Sequence, residues 1–244
     1  MFYILFLSSF NLAEGGIDDQ AQYDDYVQSV ISGFKHGSAL PVRVRADAMA
    51  GSAAVTFSPE WKRDITSTVF WVGEPASGRS QGNRRSAWDG LWELHYGGLD
   101  APGTRTVFFT PASFRPHLNP FYVALPYCDI MNGRLRPEAG AVIPWFNSGY
   151  RGPGVSVCKD HWVAIYARGR VCFAQWEDVG PFETDDWQYV FGPQAAPRHG
   201  HNGNAGIDVS PAVQRFLGLS SLDKVNWRFV DGSQVWQGPW SGWD

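Results

Sequence analysis

The segment HWVAIYARGRVCFAQWED, at positions 161–178, constrains the fold more than any other stretch of the chain. Its β-branched and aromatic residues are typical of strands that pack on at least one face. Arg168-Gly169 interrupts this pattern, and glycine readily takes the positive φ angle that a two-residue hairpin loop requires. The segment therefore predicts a β-hairpin whose second strand ends on Glu177 and Asp178.

A two-residue loop fixes which residues of the two strands face one another. Three cross-strand pairs are predicted: Cys172 with Ile165, Trp176 with His161, and Asp178 with Lys159. Because side chains alternate along a strand, Glu177 must point away from the face that carries Asp178. We therefore expect one of these two acids to be solvated, and the alternation alone does not decide which.

The rest of the pattern is also mainly β. Strands are predicted in STVFWVGE, NPFYVALPY and KVNWRFVD, and a helix in SAWDGLWELHYGG. A second helix is predicted in DVSPAVQRFLGL, with Ser210 as N-cap, Pro211 at the first helical position and Gly218 at the end. Short strands, one hairpin and two short helices predict a mainly β fold, a small barrel with decorated loops.

The predicted organisation has three parts: an N-terminal extension over residues 1–60, a barrel domain over 66–235, and a Trp-rich tail over 236–244. The apolar start, MFYILFLSSF, is too short to span a bilayer, so no stable membrane span is expected. The first basic residue is Lys35, so the run lacks the basic start of a secretory signal. It fits either a remnant of an export signal or a buried segment.

Charge and cysteine content narrow the function classes. The formal net charge of −4 gives no basic surface for nucleic acid, which we exclude as a partner. The 3 cysteines form no CxxC pair, so a structural zinc site is not expected. In the predicted hairpin Cys158 and Cys172 lie too far apart along the ladder for a disulfide.

Asp178 and Asp208 are the candidate catalytic acids. Asp178 ends a strand just before a Gly-Pro break, which would let a substrate reach its carboxylate as a general acid or base. Alternatively, that carboxylate accepts N–H bonds from the Val179-Gly180 turn. Asp208 precedes a helix start, where an acid is also favoured by the helix dipole. Two carboxyl groups near one bond are what glycoside cleavage requires.

The motifs EDVGPF, GIDVSPAVQRFLGL and VNWRFV resemble the end of the double-psi β-barrel of the rare lipoprotein A (RlpA) family. STVFWVGE and FYVALPY are similar to that family's first two strands, so the resemblance covers roughly residues 66–231. It implies a six-stranded double-psi β-barrel with short helices and long loop insertions. It also implies a groove that binds glycan strands.

Members of the family include lytic transglycosylases that act on peptidoglycan, and related barrels include expansins and family-45 endoglucanases. The resemblance implies a catalytic role for Asp178 and matches Asp208 to the acid before the helix. The family's histidine before a Leu-Pro motif falls near Tyr122 here, so it is missing. Asp129 is a candidate to replace it, and His161 is another.

The predicted site is completed by aromatic residues, since aromatic faces stack on sugar rings. Trp176, Trp187, Tyr122 and His161 are the candidates for substrate contact. Trp236, Trp240 and Trp243 of the tail either contact the glycan as well or pack over the barrel. His199 and His201 lack a third ligand in register, so neither a metal nor a cofactor is predicted.

Three functions follow as hypotheses. The first is cleavage of a polysaccharide or peptidoglycan strand, of the lytic transglycosylase type. The second is non-catalytic glycan binding or wall loosening of the expansin type, and the third is a barrel that mediates protein contacts. The first two predict a location in the cell envelope or outside the cell.

Overall fold

The computed structural model describes residues 60–77 and 82–243, so the predicted extension and export signal lie outside the described residues, apart from residue 60. The strands are β1 (Lys62–Val69), β2 (Tyr122–Leu125), β3 (Ile130–Met131), β4 (Arg134–Leu135), β5 (Trp162–Ala167), β6 (Arg170–Val179), β7 (Ala205–Val209) and β8 (Lys224–Phe229). The helices are α1 (Trp92–Tyr96), α2 (Ala139–Val142), α3 (Phe146–Gly149), α4 (Trp187–Val190) and α5 (Pro211–Leu217). Two short 3₁₀ turns cover His201–Gly203 and Gly232–Gln234.

Six of the strands close into a β-barrel. Their order around the barrel is β1-β7-β2-β6-β5-β8, and β8 pairs with β1 to complete the ring. Closure leaves no strand of the barrel with an unpaired edge. The predicted fold class, mainly β with a six-stranded barrel and short helices, is confirmed.

The barrel consists of two topologically equivalent halves. The parallel pairs are β1 with β7 and β2 with β6, while the other four pairings are antiparallel. Exchanging the first three barrel strands with the last three maps the set of pairings onto itself. Each of the two parallel pairs joins a strand of the first half to a strand of the second, and this internal symmetry is the arrangement expected of a double-psi barrel.

The predicted hairpin is β5 and β6. Arg168 and Gly169 have φ angles of 50° and 81°, as a two-residue loop with two positive φ values requires. Ile165 pairs with Cys172, and the Trp176 N–H donates to the His161 carbonyl at 2.9 Å, so both predicted pairs are confirmed.

The third predicted cross-strand pair, Asp178 with Lys159, is wrong. Asp160 has a φ of 66°, which turns the chain out of the ladder before Lys159. The ammonium group of Lys159 lies 3.1 Å from Glu177 instead.

The helix before β8 forms as predicted. The Ser210 hydroxyl accepts the Val213 N–H, Pro211 opens α5, and Gly218 ends it with a φ of 66°. The first strand is displaced from its predicted position, because β1 begins at Lys62 and ends at Val69. Residues 72–73 form a turn where the sequence predicted strand. The predicted helix in SAWDGLWELHYGG is reduced to α1.

The end of the chain packs on the barrel domain. Trp240 is 1% exposed, and its ring lies 5.6 Å from Phe121 and 5.3 Å from Phe216, measured between centroids. Trp240 is therefore a core residue, which selects packing over the barrel from the two alternatives for this residue. All three cysteines are free thiols. Across the described residues, no helix has the length and apolar character needed to cross a bilayer.

Candidate functional site

An open cleft of about 1080 Å³ lies where β1, β6 and β7 end. Three parts of the described chain form its walls: residues 74–76 with 82–87, residues 128–136, and residues 180–184. Asp178 and Asp208 both line it, so the structure brings together the two acids that the sequence singled out. Their position at strand ends explains this, because the barrel gathers those ends around one opening.

The two acids belong to a single row across four neighbouring strands. Asp178 and Asp208 are both register partners of Ala124, one from each side of β2, and Asp208 also pairs with Thr68. Register partners point to the same face of a sheet. Two strand spacings separate the acids, which places their α-carbons about 10 Å apart. The small Ala124 methyl group stands between them.

Asp178 is 7% exposed and uses only one carboxylate oxygen for hydrogen bonds. Its Oδ1 accepts the N–H groups of Ala87 and Val179, both at 2.8 Å. Within the described chain, Oδ2 has no hydrogen-bond partner. Burial raises the pKa of Asp178 to about 7, although the two N–H donors act in the opposite direction. Asp178 therefore accepts the predicted hydrogen bond from the Val179 N–H on Oδ1 and still has Oδ2 available to carry a proton.

Asp208 is partly exposed at the base of the cleft. Its Oδ1 accepts the hydroxyl of Thr68, and a Cβ on Gly180 would lie 3.1 Å from Oδ2. Burial raises the pKa of Asp208 to about 7; Thr68 lowers it, while the charges of Asp178 and Glu74 raise it further. Near neutral pH, the carboxyl groups of Asp178 and Asp208 are therefore each partly protonated.

Sequence reasoning missed several residues that shape this cleft. Glu74 lines it and has a pKa raised by burial, although Asn83 donates to its carboxylate at 2.8 Å. Phe182, the last residue of the Gly-Pro-Phe motif, is 43% exposed at the rim. Its ring lies 4.8 Å from that of His199. The quoted motif contained the signal for Phe182, and nothing comparable marked Glu74.

Asp129 is not part of the cleft floor, which corrects its prediction as a catalytic acid. It is 0% exposed, and its carboxylate accepts the indole N–H of Trp88 at 3.0 Å. It also accepts the Ser156 hydroxyl at 2.8 Å and the Val157 N–H at 2.7 Å. Donors on both oxygens make this carboxylate an anchor between loops.

Glu177 is 7% exposed, so the expectation that one of the two neighbouring acids is solvated is wrong. The β2–β6 register shifts at this point, where Val123 pairs with Trp176 and Ala124 with Asp178. Glu177 is the extra residue of this bulge. Burial raises its pKa to about 8, with Asp160 adding to the effect and Lys159 opposing it. Glu177 does not line the cleft.

Two of the predicted substrate contacts are core residues. Trp176 is 0% exposed, and its indole N–H donates to the Asp178 carbonyl at 2.8 Å, which fixes the end of β6. Tyr122 is 1% exposed, and its hydroxyl donates to Asp100 at 2.7 Å. Neither ring has a surface for a ligand, which corrects both predictions.

The other two predicted contacts lie away from the acids. His161 stacks on Trp145 with centroids 3.5 Å apart and lines a separate cavity of about 290 Å³. Burial lowers its pKa to about 4. His161 therefore does not replace the missing histidine of the RlpA pattern. Trp187 opens α4 and is half-buried, and it does not line the cleft.

His199 and His201 stack with ring centroids 5.8 Å apart. In residues 60–77 and 82–243, no group of three or more His, Cys, Asp or Glu side chains is arranged to hold a metal ion. No family model matches the chain, and no curated protein matches it.

Proposed function

We propose that the cleft binds a glycan strand, of the peptidoglycan type, and cleaves it with Asp178 as general acid and base. The observation that carries this proposal is the pair of cleft-floor acids, each with a pKa of about 7. A proton donor that works near neutral pH needs a carboxyl group that is still partly protonated there. The motif resemblance to the RlpA family supports the same substrate class.

The oxygens of Asp178 have separate roles in this proposal. Two backbone N–H groups hold Oδ1 and thereby fix the orientation of the carboxyl group. Oδ2 is left to carry the proton that the glycosidic oxygen takes up as the bond breaks. The same oxygen then accepts a proton from the attacking hydroxyl group, either of water or of the sugar itself.

Asp208 positions and assists in this scheme. A retaining pair needs carboxyl groups only about 5–5.5 Å apart, so that one can attack the sugar. The register places the α-carbons of Asp178 and Asp208 about 10 Å apart. An α-carbon spacing does not fix the distance between the carboxyl groups, so the register assigns Asp208 only a place beside Asp178 on the same face of the sheet, from which it orients a hydroxyl nucleophile in this scheme.

A second candidate is the non-catalytic binding and wall-loosening function of expansin type. The observation that favours it is the anchoring of Asp129, which leaves no replacement for the family's missing histidine among the residues predicted for that role. This protein would then use the cleft to hold a strand without cleaving it.

The experiment incubates purified protein with peptidoglycan sacculi and measures soluble muropeptides and sedimentation with the sacculi. Asp178→Asn keeps the side-chain shape and removes the proton. We expect it to lower cleavage at least 100-fold, in the usual range for a general acid, and to leave sedimentation unchanged. Glu183→Gln is the matched control, because Glu183 also lines the cleft but pairs with Arg198.

Cleavage by Asp178→Asn at the parental rate would contradict the catalytic role. A parent that sediments with sacculi and releases nothing supports the binding function in its place. A parent that neither binds nor cleaves removes both.

A further inference from the structure

A second cavity, of about 400 Å³, adjoins the cleft. The two share three lining residues, Thr68, Val69 and Asn202. Thr68 is also the residue whose hydroxyl donates to Asp208. The second cavity therefore extends the groove away from the cleft floor, on the side of Asp208.

The walls of this second cavity differ chemically from those of the cleft. The cleft is lined by several acids and by Arg84, Arg85 and Arg136. Of the described residues that line the second cavity, none is charged. A charged ligand group would lose its hydration in this cavity and find no charged side chain there to compensate for that loss. The cavity thus favours a neutral ligand.

Two side chains in this cavity have unused hydrogen-bonding capacity. Trp71 is half-buried, and its indole N–H makes no hydrogen bond to any described residue. The side-chain amide of Gln214, on α5, is also without a partner in the described chain. Ser221 and Leu222 complete the opposite wall, and both are exposed. An aromatic face beside free polar groups is suited to a ring with apolar faces and hydroxyl edges.

We propose that this second cavity is a subsite for an uncharged sugar ring of the same glycan strand. Trp71 stacks on the ring and Gln214 hydrogen-bonds its hydroxyl groups. The α-carbons of Thr68 and Trp71 are at most about 11 Å apart, so an occupied subsite lies beside the cleft floor. This inference rests on the proposed function, because it assigns a further sugar of the strand, beyond the two that flank the bond on which Asp178 and Asp208 act.

The subsite makes binding depend on the length of the glycan. A disaccharide held at the cleft floor does not reach Trp71, whereas a longer strand fills both positions. The probes are neutral chitooligosaccharides, a disaccharide and a hexasaccharide of N-acetylglucosamine, with binding measured by titration calorimetry. The variants are Trp71→Ala, Trp71→Phe and Gln214→Ala, each checked for its Tm. Arg215→Ala, at the neighbouring exposed position of α5, is the matched control.

We expect Trp71→Ala to weaken hexasaccharide binding about 10-fold, a typical contribution of one stacked ring, without changing disaccharide binding. Trp71→Phe keeps an aromatic face and should recover most of the affinity, and Gln214→Ala should lose several-fold. If the parent binds the hexasaccharide and all the variants bind it with the same affinity, the subsite is contradicted and the proposed function is not. A parent that binds neither oligosaccharide nor sacculi contradicts the subsite and the proposed function together.

Discussion

Asp129 and Asp178 are both buried aspartates, yet their surroundings differ in the number of oxygens that accept hydrogen bonds. Trp88 and Ser156 donate to Asp129 Oδ1, and Val157 donates to its Oδ2. Asp178 accepts two N–H groups on Oδ1 and, from the described residues, none on Oδ2. The first carboxylate is saturated and closed to ligands, whereas the second faces a cleft.

This difference separates an anchor from a reactive group. A buried carboxylate loses its hydrogen bonds to water. When both of its oxygens accept hydrogen bonds from the protein instead, this loss is compensated and the carboxylate stabilises the fold. A buried carboxylate with a free oxygen is destabilised as an anion, so it takes up a proton at higher pH. Burial alone therefore does not identify a functional acid; the count of donors and access from solvent do.

The largest expected effect is on stability at the anchor. Asp129→Ala leaves three donors without a partner, the buried Val157 N–H and the partly buried Trp88 N–H and Ser156 hydroxyl, at about 1–3 kcal/mol each. We expect the free energy of unfolding to fall by on the order of 4 kcal/mol, or roughly 10 °C in Tm. Thermal unfolding followed by circular dichroism measures this.

Asp185→Ala is the control for the anchor, because the Asp185 side chain is 46% exposed and pairs with Arg198 at the surface. It should shift Tm by only a degree or two. An Asp129→Ala variant as stable as Asp185→Ala would show that the anchor role is wrong.

A smaller effect is expected from the pH dependence of the cleft floor. The folded-state pKa of Asp178 and Asp208 is about 7, above the usual value near 3.8. Between these values the folded protein binds more protons than the unfolded one, so each acid lowers stability as pH rises from about 4 to 7. Above pH 7 the stability does not fall further from this cause, because both acids are then ionised in the folded and in the unfolded protein.

Asn at either position removes this loss. Relative to the parent, Asp178→Asn and Asp208→Asn should each gain on the order of 1–3 kcal/mol at pH 8 compared with pH 5. Urea unfolding at the two pH values measures the difference, and Glu183→Gln should follow the parental curve. A gain that is the same at both pH values contradicts the raised pKa values.

Most of the barrel could be predicted from sequence patterns. The hairpin of β5 and β6 follows from its loop at Arg168-Gly169, and α5 follows from Ser210, Pro211 and Gly218, because both depend on local backbone preferences. The position of β1 did not follow, since its pairing with β7 and β8 is set by contacts far along the chain. The turn at Asp160 could not be predicted either, because no sequence pattern marks an aspartate that takes a positive φ angle.

The candidate site was predicted in part. Asp178 and Asp208 were found because each ends a strand beside a recognisable break. Asp129 was misassigned because the partners that saturate it, Trp88 and Val157, lie 41 and 28 residues away. Glu74 and Trp71 were not recognised as parts of the site, since only the folded barrel brings the chain after β1 close to the ends of β6 and β7 and to α5.

The protonation state of Asp178 tests the account most directly. Carboxyl ¹³C chemical shifts of labelled protein, followed from pH 3 to pH 9, give the titration midpoint of each aspartate. Spectra of Asp178→Asn and Asp208→Asn identify the two signals by their absence. The account predicts midpoints near 7 for both acids. Midpoints near 4, the ordinary value for an exposed aspartate, would contradict it.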